Sequence, residues 1–371
     1  MRIIQPADGM RVVWIAHSDA VGLHTDPSVL CYHWSAGRRL RAGIPSVRLH
    51  SLGVRQWLLS PPSKDGLEQA LELRPDVVVV SGLYPNVEGR RDPRSYFNCV
   101  DAFQRNGVPV VVDMAEDHFQ DYRAAEFREM IDLGDGLIVN TPALADIVRE
   151  KTSRESDVID DPVEGAECDP VFDPPQLRSG LFRLAVWGTQ PRPLRLLWFG
   201  GQGRNYQYLK RLVPELQVFA RVMPIDLTVV AGPLEGLEAD VAAWNSHSQR
   251  FRARSVMWSR GALEHELSRC DIVIIPSDVA ARMAASTNRI AESIWAGRFV
   301  VANGLPSYWV FREAAWIGEN MIEGLRWALH HREKAVARIV RGQTIIVERF
   351  TPDVIGRRWG EVLARYCLRR P

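Results

Sequence analysis

The chain has 371 residues, of which 46% are hydrophobic and 25% charged, and a formal net charge of +1. That length favours two domains over a single core, and the composition is that of a globular protein, not a disordered or fibrous one. The near-zero charge gives no support to nucleic acid as a partner, and no apolar run approaches the ~20 residues a membrane span needs.

Lysine occurs only at Lys64, Lys151, Lys210 and Lys334, so a cation holding a phosphate is expected to be arginine. The cysteines Cys31, Cys99, Cys168, Cys270 and Cys367 form no C-x-x-C pair. Neither a disulfide framework nor a zinc site is suggested, and a reducing cytoplasm fits. The first residues carry no apolar h-region, so a soluble protein is expected.

Short β-branched runs alternate with longer amphipathic segments, the pattern of an α/β fold with parallel sheets and helical crossovers. The first strand is read at 11–16, followed by a polar loop at 17–27, a helix at 28–42 closed by Gly43, and a strand at 47–49. Further strands are read at 76–81, 109–113, 136–140 and 156–159, with helices at 95–105 and 142–151. Together they make one doubly wound sheet. Residues 160–193 are proline-rich and weakly periodic, as in a linker.

A second series starts with a strand at 194–199 and the glycines Gly200, Gly201 and Gly203. It continues with a helix at 205–222, strands at 227–231 and 256–258, a helix at 263–269 and a strand at 271–276. Helices at 321–331, 333–349 and 353–369 end the chain. The expected domains are 1–175, Rossmann-like and on the acceptor side; a linker at 176–193; 194–350, also Rossmann-like; and a helix at 351–371 packing back toward the first domain. Two such sheets set a cleft between their C-terminal strand edges, where ligands of these sheets bind.

The most specific signal lies at 275–302, read as a buried strand, a polar loop, a short helix stopped by Gly297 and a second buried strand. Ser286, Thr287 and Asn288 fall at the helix start. Unpaired backbone N–H groups and the positive end of the helix dipole suit a phosphate there. Glu292 lies four residues after Asn288 and projects from the same face, where a carboxylate can hold a ribose. The combination describes a nucleotide-sugar pocket.

Gly200, Gly201 and Gly203 read either as a turn where backbone approaches a diphosphate or as a plain tight turn, since G-x-G-x-x-G is absent. Arg204 and Lys210 follow them, read either as a second phosphate cation, for which Arg204 is better placed at the loop, or as surface charge. Asp113, Asp117 and His118 come directly after a buried strand, so their side chains are expected to face the cleft as acceptor-orienting or basic groups. Read instead as metal ligands, they lack partner spacing. His17 has a similar place after the first strand, with a merely exposed histidine as the alternative. Tyr308 and Trp309 offer stacking on a base or sugar, or core packing. Between 331 and 371 ten Lys/Arg stand against four Asp/Glu, which suggests a solvated basic face or attraction to anionic lipid or a phosphorylated acceptor.

With two such sheets, the stretch 282–301 resembles the nucleotide-binding segment of GT-B glycosyltransferases, particularly the retaining group called family 4. There a basic residue precedes a Ser/Asn-rich loop, and a glutamate sits in the helix ahead of a glycine and a Val-Val-Ala strand. The resemblance implies that Glu292 binds the nucleotide ribose and that Ser286, Thr287 and Asn288 cradle the diphosphate. It also implies that Arg282 pairs with a phosphate, while Gly22, Gly200, Gly201 and Gly203 approach through backbone. One departure stands out: Ala284, eight residues before Glu292, replaces a glutamate that lies close to the transferred sugar.

The implied activity is transfer of a sugar from a nucleotide-diphosphate donor to a glycan, lipid-linked glycan or small molecule, with retention and without metal or other cofactor. The implied location is the cytoplasm, with peripheral contact at the inner membrane face through the basic C-terminus. Two readings stay open beside it. One is a nucleotide-sugar 2-epimerase of the same form, the other a non-catalytic nucleotide-sugar-binding subunit.

Overall fold

A computed structural model of the chain describes residues 9–16, 22–33, 35–60, 63–81, 93–175, 192–201, 204–246, 248–280 and 282–368. The chain divides into two compact units. The first comprises residues 1–164, 284–286 and 348–371, the second residues 165–283 and 287–347.

The first unit contains β1 (Arg11–Ile15), β2 (Gly22–His24), α1 (Ala36–Arg38), α2 (Ile44–Ser51), β3 (Arg55–Ser60), α3 (Lys64–Glu72) and β4 (Val77–Ser81). It continues with α4 (Pro93–Arg105), β5 (Val110–Met114), α5 (Ala124–Leu133), β6 (Gly136–Val139), α6 (Pro142–Thr152) and β7 (Asp157–Val158). The second contains β8 (Leu194–Gly200), α7 (Arg204–Ala220), β9 (Ile225–Ala231), α8 (Leu237–Asn245), β10 (Phe251–Met257) and α9 (Arg260–Arg269). Then come β11 (Ile272–Ile275), α10 (Asn288–Trp295), β12 (Phe299–Ala302), β13 (Trp316–Ile317), α11 (Met321–His330) and α12 (Arg332–Arg349). The last helix, α13 (Pro352–Cys367), belongs to the first unit.

The first sheet runs β2-β3-β1-β4-β5-β6-β7, parallel except for β2 against β3. Its central strands are buried on both faces, which explains the unbroken valine runs. Side chains alternate between faces: Val13, Val78 and Val80 pack with Phe97, Phe103 and Phe127, while Val12, Trp14 and Val79 pack with Leu49, Trp359 and Leu363. Trp14 and Trp359 meet with ring centroids 5.1 Å apart, so α13 closes one face of this sheet. Gly136 is obligatory beneath α13, because a Cβ there would lie 2.2 Å from the Tyr366 ring.

The second sheet is wholly parallel, in the order β10-β9-β8-β11-β12-β13. This is a doubly wound order in which the connections reverse direction between β8 and β11, the switch point where ligands bind.

Three sequence expectations change. Residues 47–49 are not a strand but part of α2, which buries Pro45, Ser46 and Leu49 against the core. The strand is β3, whose polar residues Arg55, Gln56 and Ser60 disguise it. Buried Gln56 accepts from Trp14 Nε1 at 2.9 Å and donates to Ser46 O at 2.7 Å. The expected helix at 28–42 is a 3-10 turn at Pro27–Tyr32, then α1, then a π-helical turn at Arg39–Gly43. Gly43 does not end it, since α2 follows directly. A Cβ there would come within 2.5 Å of Cys31 N, so this glycine serves close packing. The 160–175 part of the proline-rich stretch is described and irregular, while 176–191 lies outside the described residues.

Candidate functional site

The switch point of the second sheet gathers side chains from three segments. After β8 the chain turns at Gly200 and Gly201 and enters α7. Asn205, in the first turn of α7, receives two guanidinium groups on its Oδ1: Arg282 Nη1 at 2.7 Å and Arg289 Nη2 at 3.5 Å. Arg289 Nη1 also donates to Phe199 O at 3.5 Å, at the end of β8. Its side chain is buried, and a Cβ on Gly200 would meet it at 3.6 Å. Burying a guanidinium on weak neutral partners is costly unless an anion completes its shell.

Thr287 precedes α10 as its N-cap but makes no capping bond, since its backbone is already helical. Its hydroxyl is buried and has no hydrogen-bond partner among the described residues. A buried hydroxyl at a helix start is ordinarily paired, and here the first turn of α10 also carries Arg289.

One turn along α10, Glu292 accepts from Arg260 Nη2 at 2.5 Å and from Gly165 N at 3.2 Å. Gly165 O in turn accepts from Trp295 Nε1 at 2.8 Å. A Cβ at residue 165 would stand 2.5 Å from Arg260 Nη2, so the end of that side chain would have to move away from Glu292. The helix ends at Gly297, whose φ of +71° and 2.1 Å approach of a built Cβ to Asp169 O admit no side chain.

In the first unit Arg41 is fully enclosed. It donates to Asp113 at 2.6 Å, to Asp161 at 3.1 Å and to Ile159 O at 2.5 Å. Burial opposes the charge, but Asp113 and Asp161 more than offset it and hold the guanidinium above its ordinary value. Asp113 also accepts from Ser81 at 3.0 Å, and burial pushes its carboxyl up despite Arg41.

No family model matches the chain, and no curated protein matches it. Solved structures do. The chain is similar to the Anabaena protein Alr3699/HepE in complex with UDP-glucose, at TM-score 0.60 and 13% identity over 96% of this chain and 100% of that one. For a glycosyltransferase from Rickettsia africae the TM-score is 0.62, with 10% identity over 98% and 100% of the two chains. For α,α-trehalose 6-phosphate synthase from Burkholderia multivorans the values are 0.55 and 12%, over 97% and 98%. The chain has the GT-B fold.

In this GT-B chain the residues singled out from sequence separate. Arg282, Thr287, Asn288, Gly200 and Gly201 lie with Arg289 and Asn205 in the second unit, and Glu292 follows on α10. Gly203, His17 and the side chain of Arg204 lie outside the described residues. Ser286 departs from its neighbours: its hydroxyl bonds Asp161, within the first unit. Gly22 is not a loop residue but opens β2 opposite Ser60, with φ +104°.

Asp113, expected to face an opening, is sealed because Arg41 and Ser81 take up its oxygens. Asp117 closes a turn on Phe119 N at 2.9 Å. His118 pairs with Asp121 at 2.9 Å. Tyr308 is fully buried, whereas Trp309 is half exposed. Sequence reasoning missed Arg289, Arg260, Asp121 and Arg41. Only Arg289 had a usable signal, lying directly after the Ser-Thr-Asn run. Among the described residues, no group of three or more His, Cys, Asp or Glu is placed to hold a metal ion, and no helix is long and apolar enough to cross a membrane.

Proposed function

We propose that this protein is a glycosyltransferase that takes its sugar from a nucleotide-diphosphate donor. The carrying observation is the convergence of Arg282 and Arg289 on Asn205 beside the Gly200 turn, at the switch point of the second sheet. An incoming diphosphate replaces the amide oxygen as their partner and gains the Thr287 hydroxyl and the start of α10. These groups stabilise the charge that develops on the leaving diphosphate as the glycosidic bond breaks. Glu292 takes the ribose hydroxyls, with Arg260 fixing its orientation.

The first unit serves the acceptor, with His118 as its candidate contact. A glycan, a lipid-linked glycan or a small molecule fits the proposal, and the resemblance to family 4 supports transfer without a metal. Because HepE was seen with UDP-glucose, uridine nucleotides are the first donors to test.

Calorimetric titration with UDP and UDP-glucose tests the reading. Binding in the micromolar range is expected, and Glu292→Ala weakens it at least about tenfold. Unchanged affinity in that variant removes the ribose assignment. Absence of binding by any nucleoside diphosphate removes the function.

A second reading, a binding subunit without turnover, draws on Ala284. That residue is buried in the first unit's apolar core, at the position where the resemblance calls for a carboxylate. Slow hydrolysis of a bound nucleotide sugar argues against it.

A further inference from the structure

His118 lies between β5 and α5, with its side chain 14% exposed. The ring stands edge-on to Phe127, with centroids 5.2 Å apart at 87°, so its plane is fixed by packing. Nδ1 is 2.9 Å from Asp121 Oδ2. Asp121 is itself held from the other side: its Oδ1 accepts from Arg123 N at 2.8 Å, and its Oδ2 from Arg123 Nε at 3.3 Å and Nη2 at 2.9 Å.

The backbone N–H and guanidinium of Arg123 can only donate, so Asp121 stays an ionised acceptor. Burial works to raise its carboxyl, but the bonds from Arg123 and His118 prevail and push it down to about 2. An ionised acceptor on the Nδ1 side requires the proton at Nδ1 and leaves the lone pair at Nε2. Nε2 makes no hydrogen bond among the described residues; its nearest carboxylate is Glu116, at 3.8 Å. The charged groups that face the ring are Glu116, Asp121 and Arg123. Burial first, and Arg123 next, hold the imidazole below its ordinary value against the two carboxylates, so the ring is neutral near pH 7.

We infer that Asp121 is a positioning residue, fixing His118 as the Nδ1–H tautomer so that Nε2 accepts a hydrogen bond from a substrate hydroxyl. The inference rests on the glycosyltransferase reading for its substrate, and on the local geometry alone for its tautomer. An acceptor-only Nε2 selects a hydroxyl at that point and disfavours a phosphate or carboxylate, which meet it lone pair to lone pair. Protonation turns Nε2 into a donor and reverses that preference.

The test uses the full chain. Long-range proton–nitrogen NMR at pH 7.5, with the His118 signals identified by their loss in His118→Gln, is expected to show the Nδ1–H tautomer. In Asp121→Ala and Asp121→Asn the ring moves toward the Nε2–H form. Hydrolysis of UDP-glucose, with water in place of the acceptor, falls in kcat/KM by about tenfold or more in both variants. The acid limb of its pH profile moves to lower pH, because the carboxylate that favours the imidazolium is gone. UDP affinity by calorimetry stays unchanged.

An Nε2–H tautomer in the unsubstituted protein overturns the inference, as does an acid limb that neither substitution moves. Where the donor is not hydrolysed, the tautomer alone decides. Failure of the unsubstituted protein to bind UDP strikes the proposed function instead, and the tautomer result is read independently.

Discussion

Arg41 with Asp113 and Asp161 in the first unit, and Arg260 with Glu292 in the second, are the same chemistry in different surroundings. The side chains of Arg41 and Asp113 are each 1% exposed, against 28% and 10% for Arg260 and Glu292. Arg41 also donates to the carbonyl of Ile159, so its charge ties the β5 strand end to the segment after β7. Arg260 divides itself between Glu264 and Glu292 and keeps part of its side chain exposed, while Glu292 is less tightly enclosed than Asp113. Burial, not residue type, separates the sealed ion pair from the partly exposed one.

Arg41→Met breaks the sealed side of this comparison and has the largest expected effect. It leaves two buried carboxylates without their cation and costs about 3–5 kcal/mol in urea unfolding. The pH dependence has a definite sign. Burial already holds the folded Asp113 carboxyl above its unfolded value, so that group's contribution to folding is fully present below the unfolded value and is lost as pH rises through the folded one. Without Arg41 the shift grows, and the variant loses stability as pH rises from about 4. A variant equally stable at pH 4 and pH 7 contradicts this account.

Gly297→Ala tests the frame behind the open pair. A left-handed φ of +71° and a Cβ built 2.1 Å from Asp169 O together make a loss of about 3 kcal/mol the expected result of thermal unfolding. Glu292→Ala tests the open pair itself. It should lower stability by no more than about 1 kcal/mol, since Arg260 keeps Glu264 and some solvent, while UDP affinity falls about tenfold. A stability loss as large as that of Arg41→Met would place Glu292 among the structural pairs.

The smallest effect concerns Asp121. Its folded carboxyl is pushed down to about 2 from an ordinary 3.8, so its contribution is present above 3.8 and fades as pH falls toward 2. Asp121→Asn should therefore flatten the thermal-unfolding curve only within that acidic window.

Much of this was legible in the chain. Runs such as Val77–Ser81 and Ile272–Ile275 have one physical solution, a strand covered on both faces. The Ser-Thr-Asn run before an apolar helix marked α10, and Gly297 marked its end. The failures have physical causes too. β3 hides behind Arg55, Gln56 and Ser60 because its polar groups pair with partners far along the chain, as Gln56 does with Trp14. Ser286 and Thr287 read as equivalent hydroxyls, yet one bonds Asp161 and the other stays unpartnered among the described residues.

By itself the sequence determined the α/β class, the fully apolar central strands and the glutamate one turn into α10, because periodicity and helix caps are local properties. Only the tertiary structure decided which charges are sealed and which are open. Arg41 and Arg289 carry the same guanidinium, and although Arg289 follows the Ser-Thr-Asn run, nothing local shows which groups either one meets. Their partners stand 72 and 84 positions away along the chain, and folding alone sets the distances.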